Sequence, residues 1–185
     1  MRKARRAAAR RGCRLRIMFA DEARFGRINR ARPCWAPIGM RPQVACQLIR
    51  EHVYLYGAVS PQDGRCVFLV MPAPDTACFQ IFLDTLAKKY PKELILLVVD
   101  GAGNHVSDEL EIPANIMVQR LPPYAPELNP QENLWDEIRE KIFKNYALKS
   151  MNEVNAKLDE AVLYIERNPK AVKSITSFPY IAKSF

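Results

Sequence analysis

Histidine is nearly absent from this chain of 185 residues, which has only His52 and His105. Its five cysteines, Cys13, Cys34, Cys46, Cys66 and Cys78, are odd in number, widely spaced and without a C-x-x-C pair. That scarcity argues against a zinc site or a disulfide framework and fits reduced, mostly buried thiols in a cytoplasmic protein. No apolar run approaches the roughly 18 residues that a membrane span needs, so no membrane partner is expected. The start Met1-Arg2-Lys3-Ala4-Arg5-Arg6 is positive like that of a secretory signal. Arg10, Arg11, Arg14 and Arg16 then occupy the stretch where an apolar core would lie, so secretion is not expected. Internal repeats are lacking, and so is low complexity outside the first Arg/Ala run.

Acid is missing from residues 1 to 16, which hold eight Lys or Arg, whereas residues 17 to 185 hold 20 basic and 20 acidic side chains. The net charge of +8 therefore resides in the N-terminal stretch. Such a run reads either as an arm that neutralises phosphates, placing the protein on nucleoid DNA in the cytoplasm, or as a solvated linker remnant. With 49% hydrophobic and 26% charged residues, the remainder is of ordinary globular composition and long enough for one buried core. The expected organisation is a basic arm or linker remnant at 1–13 and one domain at 14–185.

Alternating apolar positions predict a first strand over 14–20 that stops at Asp21. Arg24 to Gly39, rich in Gly, Pro and Arg, reads as a long basic loop. His52 to Val59 and Arg65 to Met71 read as strands joined by a hairpin at Asp63-Gly64. Asp75 can cap a helix from Thr76 to Lys89, ended by Pro91. Leu94 to Val99 is apolar throughout, as in a strand covered on both faces, and Ile116 to Leu121 reads as a further strand after a short helix around His105 to Leu110. Asn129, followed by Pro130, can cap a helix whose buried stripe is Leu134, Trp135, Ile138 and Ile142. Ser150 with Glu153 forms a capping box for a last helix to about Arg167. Three strands, helix, strand, helix, strand, helix, helix is an α/β layout with a mixed five-stranded sheet flanked by helices, the order of the ribonuclease H-like fold.

Three acids are distinctive: Asp21 after the first strand, Asp100 after the fourth, and Glu132 in the first turn of a helix. Hard divalent cations take oxygen ligands, and phosphoryl transfer with two metals about 3.5–4 Å apart needs several carboxylates converging from different elements. Gly101 and Gly103 leave room for a ligand beside Asp100. Asp21 reads alternatively as a strand-end acid or a partner for Arg24, with Glu22 adjacent. Glu132 reads alternatively as a capping-box acid worth about 1 kcal/mol. Glu127 and Asp136 compete for the third role, and His105 is a secondary candidate for substrate contact.

The segments Phe19-Ala20-Asp21-Glu22-Ala23-Arg24-Phe25, Val98-Val99-Asp100-Gly101-Ala102-Gly103-Asn104-His105 and Leu121-Pro122-Pro123-Tyr124-Ala125-Pro126-Glu127-Leu128-Asn129-Pro130-Gln131-Glu132-Asn133-Leu134-Trp135 resemble the three signatures of mariner-like DDE transposases of the bacterial insertion-sequence branch. The resemblance spans 15 to about 165. It implies that Asp21, Asp100 and Glu132 ligate two Mg2+ or Mn2+ ions for strand cleavage and transfer at transposon ends. It also implies a homodimer on transposon-end and target DNA. Trp35-Ala36-Pro37 matches a Trp-x-Pro position that in relatives contacts DNA or the partner subunit. Arg24, Arg27, Arg30, Arg32 and His105 join Trp35 as nucleic-acid-binding candidates. Two features depart from the family: 31 residues separate Asp100 from Glu132, slightly fewer than usual, and Gly101 stands where relatives often have Asn. The helix-turn-helix region that reads transposon ends in the family has only the basic arm in its place. The rival expectations are a catalytically silent DNA-binding remnant and a ribonuclease H-like nuclease without strand transfer.

Overall fold

A computed structural model describes residues 1–29, 31–102, 105, 107 and 109–182. At its centre lies β1 (Arg14–Gly26), longer than the strand expected to stop at Asp21. Residues beyond the aspartate stay extended because they form an antiparallel ladder with β2 (His52–Ser60), running from Phe19↔Val59 to Gly26↔His52. Ala23 and Phe25 are buried in step with Ile17 and Phe19, so cross-strand pairing overrides the weak strand propensity of Asp and Glu. Arg24 is consequently a strand residue rather than part of a loop.

β3 (Arg65–Met71) follows β2 through the expected hairpin, with Gly64 at φ 71°, a backbone conformation that glycine adopts without steric cost. β4 (Glu93–Val99) pairs parallel with β1 from Arg14↔Glu93 to Phe19↔Val98, and β5 (Ile116–Arg120) extends the sheet to the order β3-β2-β1-β4-β5. This is the mixed five-stranded sheet expected from the strand order. Much of the short helix expected around His105 to Leu110 lies outside the described residues.

The basic stretch at the N-terminus is helical. In α1 (Arg2–Arg11) Ala4 and Ala8 are buried, Gly12 closes the helix at φ 61°, and the Arg11 guanidinium donates to the Ala114 carbonyl at 2.6 Å. Two alanines are its only apolar face, which is why the periodicity was too faint to predict it. α2 (Thr76–Lys89) is capped by Asp75, whose Oδ1 accepts from the Cys78 N–H at 2.8 Å. α3 (Pro130–Lys141) starts at Asn129, whose Oδ1 accepts from the Gln131 N–H. In α4 (Met151–Arg167) Ser150 and Glu153 close the capping box through the N–H groups of Glu153 and Lys149. Two short helices not anticipated, α5 (Pro169–Thr176) and α6 (Pro179–Ala182), follow.

Strand alternation divides the core. Ile17, Phe19, Leu96 and Val98 face Leu134, Trp135 and Ile138 of α3 and Val154 and Leu158 of α4, while Met18, Ala20, Ile95 and Leu97 face Phe79, Phe82 and Leu86 of α2. Arg16 is also buried, at 1% exposure; it forks onto Glu93 at 2.9 and 3.0 Å, reaches Asp63 at 2.8 Å and lies over Tyr90.

α3 sits close to the sheet because Gly57 has no side chain: a Cβ there would come within 2.5 Å of both Gln131 Nε2 and Trp135 Cη2. Gln131 itself is fully buried, and neither of its amide atoms has a hydrogen-bond partner among the described residues. An unmade buried amide costs roughly 1–3 kcal/mol, so Gln131→Met, close in length and without the amide, is expected to raise stability by about 1 kcal/mol in urea unfolding. A loss of stability would mean that the amide has a partner in solution.

Candidate active site

The register that ends at Phe19↔Val98 brings Asp21 beside Asp100 when continued by two residues, so the two aspartates come from adjacent strands at one edge of the sheet. α3 begins over the same edge and contributes Glu132. Asp21, Asp100, Glu132 and Asn129 together line a cleft of about 380 Å³, roofed by the 121–126 segment. Among the described residues no Lys or Arg lines it.

Each aspartate has one oxygen held by a neighbouring donor. The Trp135 indole Nε1–H donates to Asp21 Oδ2 at 2.8 Å. Asp100 Oδ1 accepts from the Ala102 N–H at 3.0 Å and from His105 Nδ1 at 2.7 Å. Glu132 is free of the capping-box role, since the Asn129 N–H donates instead to the Pro126 carbonyl at 2.8 Å.

The electrostatics follow from this placement. Burial pushes the Asp21 carboxyl up to about 7, the Trp135 hydrogen bond opposes the rise, and the charges of Glu132 and Glu22 add to it. Glu132 is also raised, first by burial; Arg139 opposes this, and Asp136 and Asp100 add to it. Asp100 is lowered, chiefly by the His105 hydrogen bond. The His105 imidazole is raised to about 9: burial alone would lower it, but Asp100 and Glu22 on its two nitrogens outweigh that cost.

A cleft lined by acids and, among the described residues, by no basic side chain, with Asp21 held against its own charge, suits a hard cation supplied from solution. Among the described residues no three acid, histidine or cysteine side chains stand close enough to enclose one ion. The three carboxylates line the cleft without meeting, so ligation there needs water, substrate oxygens or a small closure to complete the shell.

The nucleic-acid-binding candidates divide. Trp35 is fully exposed and Arg24 is exposed on β1. Arg27 is instead tied down, its Nη1 donating to Glu51 and its Nε to the Leu148 carbonyl, and Arg32 pairs with Glu140. Arg30 lies outside the described residues. His105, expected as a nucleic-acid contact, is 3% exposed with both ring nitrogens facing carboxylates, so it lies behind the cleft and is not displayed to a polyanion.

Three participants escaped the sequence reading. Trp135 was placed in the buried stripe, which is right for its ring and silent about its N–H. Glu22 was an ambiguous neighbour of Asp21, although adjacent strand residues must point to opposite faces. Tyr124, in the left-handed region at φ 57°, is fully exposed at the rim of the cleft.

Residues 16–155 match the family described as DDE superfamily endonuclease. The chain is 36% identical over 102 residues, covering 55% of its length and 76% of the relative's, to uncharacterized protein y4pE/y4sA of Sinorhizobium fredii (strain NBRC 101917 / NGR234). Among solved structures it is similar to the Mos1 strand transfer complex, with TM-score 0.56 and 19% identity over 88% of this chain and 55% of that one. It is also similar to the Mos1 mariner paired end complex with Mn, with TM-score 0.57 and 18% identity over 88% and 56%. The chain thus spans a little over half the length of the Mos1 chains, and what it shares with them is the ribonuclease H-like fold.

Proposed function

The chain belongs to the DDE superfamily endonucleases, and from that premise we propose that it is the catalytic domain of a transposase that cleaves DNA at transposon ends and joins the ends to target DNA. The observation that carries this reading is the shared cleft lined by Asp21, Asp100 and Glu132, with no basic side chain among its walls in the described residues. These three residues would hold two Mg2+ or Mn2+ ions. When bound, such ions activate water and then a 3′-hydroxyl and neutralise the phosphodiester under in-line attack. The protein's own contribution is orientation. Trp135 and His105 fix one oxygen of each aspartate, and the first turn of α3 holds Glu132 across the cleft.

Mos1 structures described as a strand transfer complex and as a paired end complex with Mn support joining chemistry and a divalent cation for this fold. DNA as the partner is supported by the basic face of α1 and by exposed Arg24 and Trp35. Beyond β1 the 27–51 segment runs out and back, with the Asn29 N–H on the Gln47 carbonyl, and it exposes Trp35, Ile38, Met40 and Leu48. An apolar tip of this kind suits a second protein surface, which supports a homodimer on DNA. No described helix is long and apolar enough to cross a membrane, and work on nucleoid DNA in the cytoplasm is part of the proposal.

The test is nicking of supercoiled plasmid with Mg2+ or Mn2+. Asp100→Asn and Glu132→Gln are each expected to lower the rate by roughly 10³-fold or more. Nicking that survives both substitutions would place the chemistry elsewhere, and nicking without joined products would identify a nuclease lacking strand transfer. The separation of the carboxylates favours one second reading, a silent DNA-binding remnant. DNA binding without Mn2+ uptake would identify it.

A further inference from the structure

We propose that Glu22 and His105 are positioning residues that hold Asp100 in its metal-ligating orientation from the opposite face of the sheet. The inference rests on the metal-site reading above. Successive strand residues project to opposite faces, so Asp21 joins Trp135 on the α3 side while Glu22 stands on the α2 side. His105 lies there too, packed against Phe79 with ring centroids 4.4 Å apart. Its Nδ1 meets Asp100 Oδ1 at 2.7 Å and its Nε2 meets Glu22 Oε1 at 2.8 Å.

An imidazole between two carboxylates satisfies both only by donating from both nitrogens. The resulting chain, Glu22 to His105 to Asp100, crosses the end of the sheet and ties a half-exposed acid just past β4 to the middle of β1. With the Ala102 N–H also on Oδ1, two donors converge on that one carboxylate oxygen. Partners standing behind a ligating group in this way fix its orientation, and removing them typically weakens metal binding 10- to 100-fold.

The experiment measures Mn2+ binding calorimetrically on the full chain, beside Mn2+-dependent nicking, for His105→Gln, Glu22→Gln, the double variant and Phe79→Leu. His105→Gln removes a positive charge next to the site, and Coulomb attraction alone would then tighten Mn2+ binding. A 10- to 100-fold weakening is the signature of lost positioning. Glu22→Gln is expected to weaken binding in the same direction, and the double variant to be no worse than His105→Gln alone, as for residues acting as one unit. Phe79→Leu, which loosens the packing around the ring and keeps both hydrogen bonds, is expected to lower the unfolding temperature with Mn2+ affinity within twofold. Unchanged or tighter binding in His105→Gln, or losses that multiply in the double variant, would overturn the proposal. A wild-type chain that takes up no Mn2+ would overturn both this proposal and the metal-site reading, whereas wild-type uptake with unaffected variants overturns this one alone.

Discussion

Asp21→Asn is expected to lower nicking by roughly 10³-fold or more and, in the same protein without metal, to raise stability. The carboxyl sits at about 7 against an ordinary value of 3.8, because burial and the charges of Glu132 and Glu22 disfavour its ionised form. Between about pH 4 and pH 7 the unfolded chain releases this proton while the folded chain keeps it. Native stability due to this group therefore falls as pH rises through that window, and the full cost is present above it. Taking one pKa unit as about 1.4 kcal/mol, the rise from 3.8 to about 7 is worth roughly 4 kcal/mol, the most that the asparagine variant gains at pH 8, and almost nothing is gained at pH 4. Mn2+ at a hundred times its dissociation constant stabilises a binding-competent chain by about 2.7 kcal/mol and leaves the variant behind. Urea unfolding at pH 5 and 8, with and without Mn2+, reads all of these effects. A variant less stable than wild type at pH 8 without metal would mean that Asp21 is not strained by its surroundings.

Trp135 carries the second large effect. Its ring is 1% exposed, meets Phe25 edge-on at 6.2 Å and Phe68 at 6.1 Å, and fills the space that Gly57 leaves open. Trp135→Ala is expected to cost about 3–5 kcal/mol, enough to unfold much of a domain of ordinary stability. Trp135→Phe separates the two roles of the residue. It retains most of the packing but leaves Asp21 Oδ2 without its donor, which drives the Asp21 carboxyl further up and weakens Mn2+ binding by about 10- to 100-fold. Far-ultraviolet circular dichroism confirms the fold, and calorimetry with nicking reads the site. A phenylalanine variant that binds Mn2+ and nicks like wild type would reduce Trp135 to a packing residue.

Elements bounded by local chemistry were legible in the sequence. The caps at Asp75, Asn129 and Ser150, the Asp63-Gly64 hairpin and the apolar run of β4 each carry their signal within a few residues. What escaped depends on partners far along the chain. β1 runs past Asp21 because β2 pairs with it, and α1 is stabilised on the sheet through two alanines amid arginines. Arg27 and Arg32 look like a phosphate-binding loop until Glu51, Leu148 and Glu140 engage them. Of the candidate site, Asp21, Asp100 and Glu132 were readable by type and position and do line one cleft. Trp135 and His105, which orient two of them, are joined to their partners only by the folded sheet. The exception is Glu22, whose face was decided by the pleat alone.

The parallel pairing of β1 with β4 also governs when the three acids can come together. The β1-β2-β3 meander closes over neighbouring segments and can form early, whereas Phe19 finds Val98 only after a long loop closes, and Glu132 must arrive from beyond that. A nascent or partly folded chain therefore keeps its three acids on separate, unassembled pieces. Fraying between β1 and β4 parts Asp21 from Asp100 while the meander stays paired. Under the proposed function, a site built across that seam is incomplete in every fragment that lacks either strand.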